Sequence, residues 1–342
     1  VLHASFYGGD MPTDHKSTQV ANLGANMSRD RNAGGFKIDY IFKSDPDFPD
    51  GKSPLDDPYL DVRIGDVITK VNGTDARTAM DIGELLRNQA GKQVRLTIKR
   101  GTTTRDIIVK PKRNTYWLRY SDWEYGNRLQ VEKASDHQIG YLHLSAMYNW
   151  DIGQFYREFF PVFNKKGLII DMRHNAGGWI DPILLEKLIR QTWMYRIDRT
   201  GAPRGNMDMA FRGHLVVLVN ERTGSDGEIF TEGFKRLGLG TTIGTRTWGG
   251  VIALNSRNRL SDQGIANAPM HGGYGLDGEW LPEGHGHVPD MIVENLPYET
   301  FAGKDAQLEA AIKLLKEKIA GDPKEMPPVP PYPDKSFDNN RK

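Results

Sequence analysis

The chain has 342 residues and a formal net charge of +1, from 45 Lys and Arg against 44 Asp and Glu. That length suggests about two domains with room for a sizeable core, and the near-balanced charge argues against electrostatic capture of nucleic acid or a membrane surface as the main role. Cysteine is absent, which excludes disulfide scaffolds, thiolate metal sites and cysteine nucleophiles, so any nucleophilic chemistry must use oxygen or nitrogen.

No apolar run approaches the roughly 18 residues of a membrane span. The opening VLHASFYGGD lacks the charged start and apolar stretch of a signal peptide, and with no Met at its head Val1 reads as a processed or trimmed start. Residues 1–33 are polar and turn-rich, without a strong period. Between 34 and 113 the text changes: FKIDYIF alternates like a strand, DVRIGDVITKVNG follows a loop rich in Asp and Pro, AMDIGELLRNQ has helical spacing, and VRLTIKR and TTRDIIVKP read as strands. Val71-Asn72-Gly73 sets a turn at Gly73 between short apolar strands, where positive φ is cheap for glycine.

These residues resemble a PDZ domain, most specifically in Arg63 to Asp66 (RIGD), Val71 to Gly73 (VNG) and the helix followed by VRLTIKR. The resemblance implies an extended peptide adding to a sheet edge, its carboxylate docking at a glycine-rich loop; Asn32 to Phe36 (NAGGF) is the candidate for that loop.

From 114 to 320 strand-like and helix-like runs alternate: QIGYLHL, DIGQFYREFFPVF, GLIIDMRHNAGG, IDPILLEKLIR, then HLVVLVNERTGSDGEIFTEGFKRLG. The apolar, β-branched GLIID and HLVVLVN predict buried strands of a mostly parallel sheet, hence an α/β domain. Working groups of such sheets lie beyond the carboxyl ends of the strands, here MRHNAGGW and ERTGSDGE. Residues 321–342 form a Pro-rich tail with PPVPPYP, read as extended.

Gly224-Ser225-Asp226-Gly227 lies between a predicted buried strand and a predicted helix. A serine there projects at a helix N-terminus, where free N–H groups and the dipole favour negative charge; read alone, it is equally a plain N-cap. Asn175-Ala176-Gly177-Gly178 offers further free N–H groups at a neighbouring strand tip, and two such tips can converge on one substrate oxygen.

The series RHNAGGW, TGSDGEIF, GTRTWGGV and EGHGHVPDMIVEN, downstream of a PDZ-like unit, resembles the tricorn-type branch of the tail-specific serine proteases, from about Leu2 to Glu317. The resemblance implies a ClpP/crotonase-like α/β protease core, Ser225 as nucleophile, and the amides of Gly178 and Asp226 as oxyanion hole. It also implies Glu283, 58 residues beyond the serine, as the catalytic glutamate. The resemblance implies a strand at GTRTWGGV, the one on which ordinary tail-specific proteases carry the lysine of a Ser–Lys pair; that pair cannot be built here, because no lysine occurs between Lys235 and Lys304, and Arg246 stays protonated. Tricorn-like enzymes take a histidine from ahead of the PDZ domain, which here is His3, followed by Gly8-Gly9-Asp10; His285 and His287 are alternatives, and His174 lies beside the oxyanion loop. Where tricorn has a serine just before that histidine, this chain has Leu2.

The expected activity is therefore hydrolysis of peptide bonds in peptides or unfolded proteins through an acyl-enzyme, with no cofactor and no metal. The resemblance also implies an acidic residue between the oxyanion loop and the serine that favours a basic side chain before the cut, for which Asp198 and Asp208 are the candidates. The competing reading is a catalytically inactive PDZ-containing peptide-binding scaffold. A hydrolase of the enoyl-CoA hydratase type would rest on fold analogy alone. The resemblance further implies a homo-oligomer and a chain that forms the C-terminal part of a longer protein; localisation stays open between extracytoplasmic and cytoplasmic.

Overall fold

The computed structural model describes residues 5–7, 18–43, 45 and 51–331. His3 lies outside the described residues, as does the end of the Pro-rich tail. The chain divides into two compact units, residues 11–127 and residues 1–10 with 128–342.

In the first unit, a strand β1 (Ser5–Tyr7) of the other unit aside, the elements run β2 (Ala25–Asp30), β3 (Gly35–Ile41), β4 (Val67–Val71), β5 (Thr74–Asp75), the one-turn helix α1 (Ile82–Leu85), β6 (Val94–Arg100) and β7 (Thr103–Val109). Strands β2-β3-β4-β6-β7 form an antiparallel sheet, with β5 paired to β4. Asn72 and Gly73, at φ 51° and 86°, make the tight turn between β4 and β5 that the Asn-Gly pair favours. Ile38, Ile68, Leu96 and Ile98 fill the core together with Ala21, Leu23 and Ala25. The sheet thus takes in β2, and the core the residues just before it, ahead of the boundary expected at residue 34. ANMSRD has few apolar side chains, and its pairing with β3, not its own pattern, makes it a strand.

The remaining helices and strands are α2 (Tyr116–Ala134), β8 (Ile139–His143), α3 (Asn149–Phe159), β9 (Gly167–Asp171), α4 (Asp181–Leu188), β10 (Met194–Arg196), β11 (Arg204–Asn206), β12 (His214–Val219), α5 (Asp226–Arg236), β13 (Gly240–Gly244), β14 (Ala253–Arg259), β15 (Ile265–His271), β16 (Met291–Ile292), α6 (Pro297–Phe301) and α7 (Ala306–Gly321). Helix α2 carries the chain from one unit into the other. In the second unit a sheet of order β16-β13-β12-β9-β8 is parallel throughout.

Side chains alternate across this sheet as the pleat requires. Leu142, Leu168, Ile170, Leu215 and Val217 pack with Phe155, Leu184, Phe230 and Phe234 of α3, α4 and α5. On the other face, Ile139, Tyr141, Ile169, Val216 and Leu218 pack with Val131 of α2 and with Leu308, Ile312 and Leu315 of α7. Both faces are covered, which is why the strands read as unbroken apolar runs. Strands β14 and β15 form a ribbon to which β1 adds antiparallel. No helix among the described residues is long and apolar enough to cross a membrane.

One expected strand is absent. GTRTWGGV leaves the sheet at Gly244 and continues as an irregular turn. The amides that a ladder would need there are taken by two carboxylates, Glu228 on Gly249 and Gly250 and Glu283 on Val251 and Ile252, and Gly249 sits at φ 91°.

Candidate active site

The site grows from the carboxyl ends of β9 and β12, which lie side by side in the parallel sheet. The buried Asp171 at the tip of β9 pairs with the buried Arg173 at 2.6 Å, and Arg173 reaches on to Asp305 at 2.8 Å. That pair anchors the start of the loop that follows. Asn175, wholly buried, donates from Nδ2 to the carbonyl of Leu144 at 2.7 Å and accepts the Gly177 N–H at 2.8 Å. Its own carbonyl accepts the Gly224 N–H at 3.0 Å, and the Thr223 hydroxyl donates to the carbonyl of Met172 at 2.8 Å. The two loops are therefore bonded to each other before either reaches a substrate.

Ser225, half-buried, precedes α5 at φ 51° and ψ −123°, a conformation that L-residues avoid. Its surroundings hold it there. A Cβ on Gly177, itself at φ 80°, would lie 2.4 Å from the Ser225 Cβ, and one on Gly178 would lie 1.8 Å from the Met147 carbonyl oxygen. A glycine at 177 lets this loop approach the serine this closely, and a glycine at 178 lets it pack on Met147. The loop is fixed from its other side by Met147, whose N–H donates to Gly177 O and whose carbonyl accepts the Trp179 N–H, both at 2.8 Å. This pattern leaves the Gly178 N–H without a protein acceptor among the described residues, and the Asp226 N–H, in the first turn of α5, is likewise unpaired. Two free backbone donors thus flank a strained serine at a helix N-terminus, an arrangement suited to stabilising an oxyanion.

Two residues important to this geometry carry no weight in the sequence reading. Glu228, fully buried, accepts the Ser225 N–H (3.0 Å) and Gly250 N–H (2.9 Å) on Oε2, and the Thr247 hydroxyl (2.5 Å) and Gly249 N–H (2.6 Å) on Oε1. Its signal is the spacing Ser225-x-x-Glu228 ahead of an apolar run, the pattern of a capping box. Asp181, at the start of α4, faces Asp226, whose Oδ2 accepts the Ile180 N–H at 2.7 Å and the Asp181 N–H at 3.1 Å. Burial and its contact with the Asp226 carboxyl push Asp181 up to about 8. No local pattern could announce a pair so far apart in sequence.

Glu283 adjoins the same turn. Its Oε2 accepts the N–H groups of Val251 (2.7 Å) and Ile252 (3.0 Å), while Oε1 is buried and unpartnered among the described residues. The described histidines are engaged elsewhere or exposed. The His174 ring lies 3.2 Å from Asn220 Nδ2, His285 is exposed, and the buried His287 ring meets Glu232 at 2.7 Å. That bond holds Glu232 down at about 2. Asp198 is not brought to the serine; it forms an exposed ion pair with Arg204 at 2.6 Å on the β10–β11 ribbon. Asp208 lies in the loop beyond that ribbon, between Met207 and Met209 at φ 73° and 56°. In the other unit, the amides of Ala33 and Gly34 in the Asn32–Phe36 loop are already donated to Asp30.

Residues 138–293 match the description Peptidase family S41, and residues 21–114 match Tricorn protease PDZ domain. The chain belongs to the tricorn-like S41 serine peptidase family. It is 36% identical over 315 residues to Tricorn protease homolog 1 of Streptomyces coelicolor, covering 90% of this chain and 29% of that protein. It is 33% identical over 280 residues to Tricorn protease of Thermoplasma acidophilum, covering 82% and 26%. A crystal structure of the tricorn protease superposes on 93% of this chain and 31% of its own, with a TM-score of 0.85 at 30% identity. The chain therefore spans less than a third of these relatives. The α/β class, with a PDZ-type region ahead of an S41 core, is as the sequence predicts.

Proposed function

We propose that this chain carries the catalytic machinery of a serine peptidase acting on peptides or unfolded polypeptides. The observation that carries the reading is Ser225 itself, held strained at the head of α5 beside two amides, Gly178 and Asp226, that are unpaired among the described residues. In this reading the Ser225 hydroxyl attacks the scissile carbonyl carbon and its proton passes to an imidazole. The two amides take the developing oxyanion. Collapse of the tetrahedral intermediate breaks the C–N bond, the imidazolium protonates the leaving amine, and water repeats the sequence to release the acid.

The imidazole is assigned to His3. What supports this is the chain immediately after it: Ser5 to Tyr7 pairs with Asn267 to Ile265 in the same unit as Ser225. The unpartnered Oε1 of Glu283 supports a carboxylate role, accepting an imidazole N–H and favouring the charged ring. Among the acidic candidates for substrate preference, Asp208 stays open, whereas the charge of Asp198 is already neutralised by Arg204. Peptide capture by the PDZ-type unit and homo-oligomeric assembly belong to the same proposal.

A fluorophosphonate probe tests it. Covalent labelling of the folded chain, abolished in Ser225→Ala, is the expected result. Absence of labelling in a chain whose circular dichroism is native would favour the inactive peptide-binding scaffold instead.

A further inference from the structure

We propose that Asp181 is a positioning residue whose protonated carboxyl donates to Asp226 and clamps the two halves of the oxyanion hole together. This rests on the serine peptidase reading, because it concerns the donors that reading assigns to Gly178 and Asp226.

The two donors come from different loops, and the bonds between those loops decide their separation. Asp226 supplies several at once. Its N–H is one of the donors, while its Oδ2 accepts the amides of Ile180 and Asp181, two and three residues beyond Gly178. The third partner of that carboxylate is the Asp181 carboxyl, which hydrogen-bonds it at the packed contact of α4 with α5. Two carboxyl groups this close share a hydrogen bond only if one holds a proton. The Asp226 carboxylate already accepts from two amides, so Asp181 is the group that keeps it. Asp226 is buried, and Asp181 is largely so.

Other charged groups around the pair are directed elsewhere. Glu228 of α5 faces the turn at 247–250. Asp151 of α3 accepts the Tyr148 N–H, and the Lys187 ammonium of α4 lies over the rings of Phe159 and Phe160. Asp226 is therefore the charge that bears on Asp181. Burial and this contact raise Asp181 to about 8, so the clamp is closed at neutral pH and opens in mild alkali. Once both groups are ionised they repel, and the 178–181 segment is driven from the head of α5.

The test is a pH profile of peptide hydrolysis by the wild-type chain, Asp181→Asn and Asp181→Ala. The asparagine variant offers an N–H to Asp226 at every pH. It is expected to keep kcat within about threefold of wild type near pH 6.5 and to move the alkaline fall in kcat up by about one pH unit or more, with KM little changed. The alanine variant has no donor there and is expected to lose roughly tenfold or more in kcat across the range. An alkaline limb that coincides in wild type and Asp181→Asn overturns the proposal.

A second measurement separates this failure from failure of the serine reading. In a Ser225→Ala background, Asp181 holds its proton in the folded chain up to about 8 but releases it when unfolded above the ordinary value of 3.8. Stability then declines as pH rises between those values and levels off above. The melting temperature of Asp181→Asn should gain on its parent steadily from pH 5 to pH 8. A pH-independent difference overturns the pairing, whatever the activity of Ser225.

Discussion

The backbone N–H of Ser225 donates to Oε2 of Glu228 at 3.0 Å, and the same carboxylate gathers Gly249, Gly250 and Thr247. One buried anion thus ties the serine to the turn at 247–250. Four donors satisfy it, which is what makes its burial tolerable. Replacing Glu228 by Ala leaves those donors facing a cavity, at about 1–3 kcal/mol for each buried group that finds no partner. The expected outcome is a fall in melting temperature of many degrees together with loss of fluorophosphonate labelling. Glu228→Gln presents N–H groups to donors on one oxygen only, so it should retain more stability than the alanine variant while labelling slowly.

Gly177 gives a sharper separation of fold from activity. Its φ of 80° and the 2.4 Å that would separate a Cβ from that of Ser225 mean that Gly177→Ala must push the loop away from the serine. Gly178 would be carried with it. Removing or displacing one oxyanion donor typically costs roughly 100- to 1,000-fold in kcat. A loss of that size with native circular dichroism is expected. Near-normal turnover would show that the Gly178 amide takes no part.

How much of this was legible depends on how local each signal is. The strands β9 and β12, with their loops, declare themselves through continuous β-branched runs that end in glycine-rich turns, so Gly178, Ser225 and Asp226 could be placed on adjacent tips from the text alone. Helix α2 could not. Its exposed Tyr116, Trp117, Trp123 and Tyr125 interleave with the buried Leu118 and Val131, so no apolar stripe marks a face. The resemblance predicts a strand at GTRTWGGV, where the structure has a turn. What overrides that propensity is capture of its amides by Glu228 and Glu283, from residues far off in the chain. The Asp181–Asp226 contact is tertiary in the same sense and has no spacing to read.

Glu283 has one oxygen held by the amides of Val251 and Ile252 and the other without a partner among the described residues. If that free oxygen steadies an imidazolium, Glu283→Gln should keep the fold, since the amide oxygen can still accept from Val251 and Ile252. It should lower kcat roughly 10- to 100-fold while leaving KM near wild type, the pattern of an interaction made in the transition state. Equal labelling rates for wild type and Glu283→Gln would confine Glu283 to holding the turn.

His287 and Glu232 supply the acid side of the stability profile. Their contact at 2.7 Å ties the loop that carries Glu283 to helix α5, and the His287 N–H adds a bond to the Thr247 hydroxyl at 2.7 Å. Bonding to His287, helped by Arg236, holds Glu232 down at about 2 against an ordinary value of 4.5. A depressed carboxyl contributes stability that is present above the unfolded value and lost as pH falls through the folded one. The contribution is therefore complete above about 4.5 and gone near 2, and is worth about 2 kcal/mol once partial solvent screening is allowed for. Glu232→Gln should melt several degrees below wild type at pH 6, and the gap should close as the pH is lowered from 4.5 towards 2. A gap that stays constant over that window would mean that Glu232 acts through packing and not through its charge.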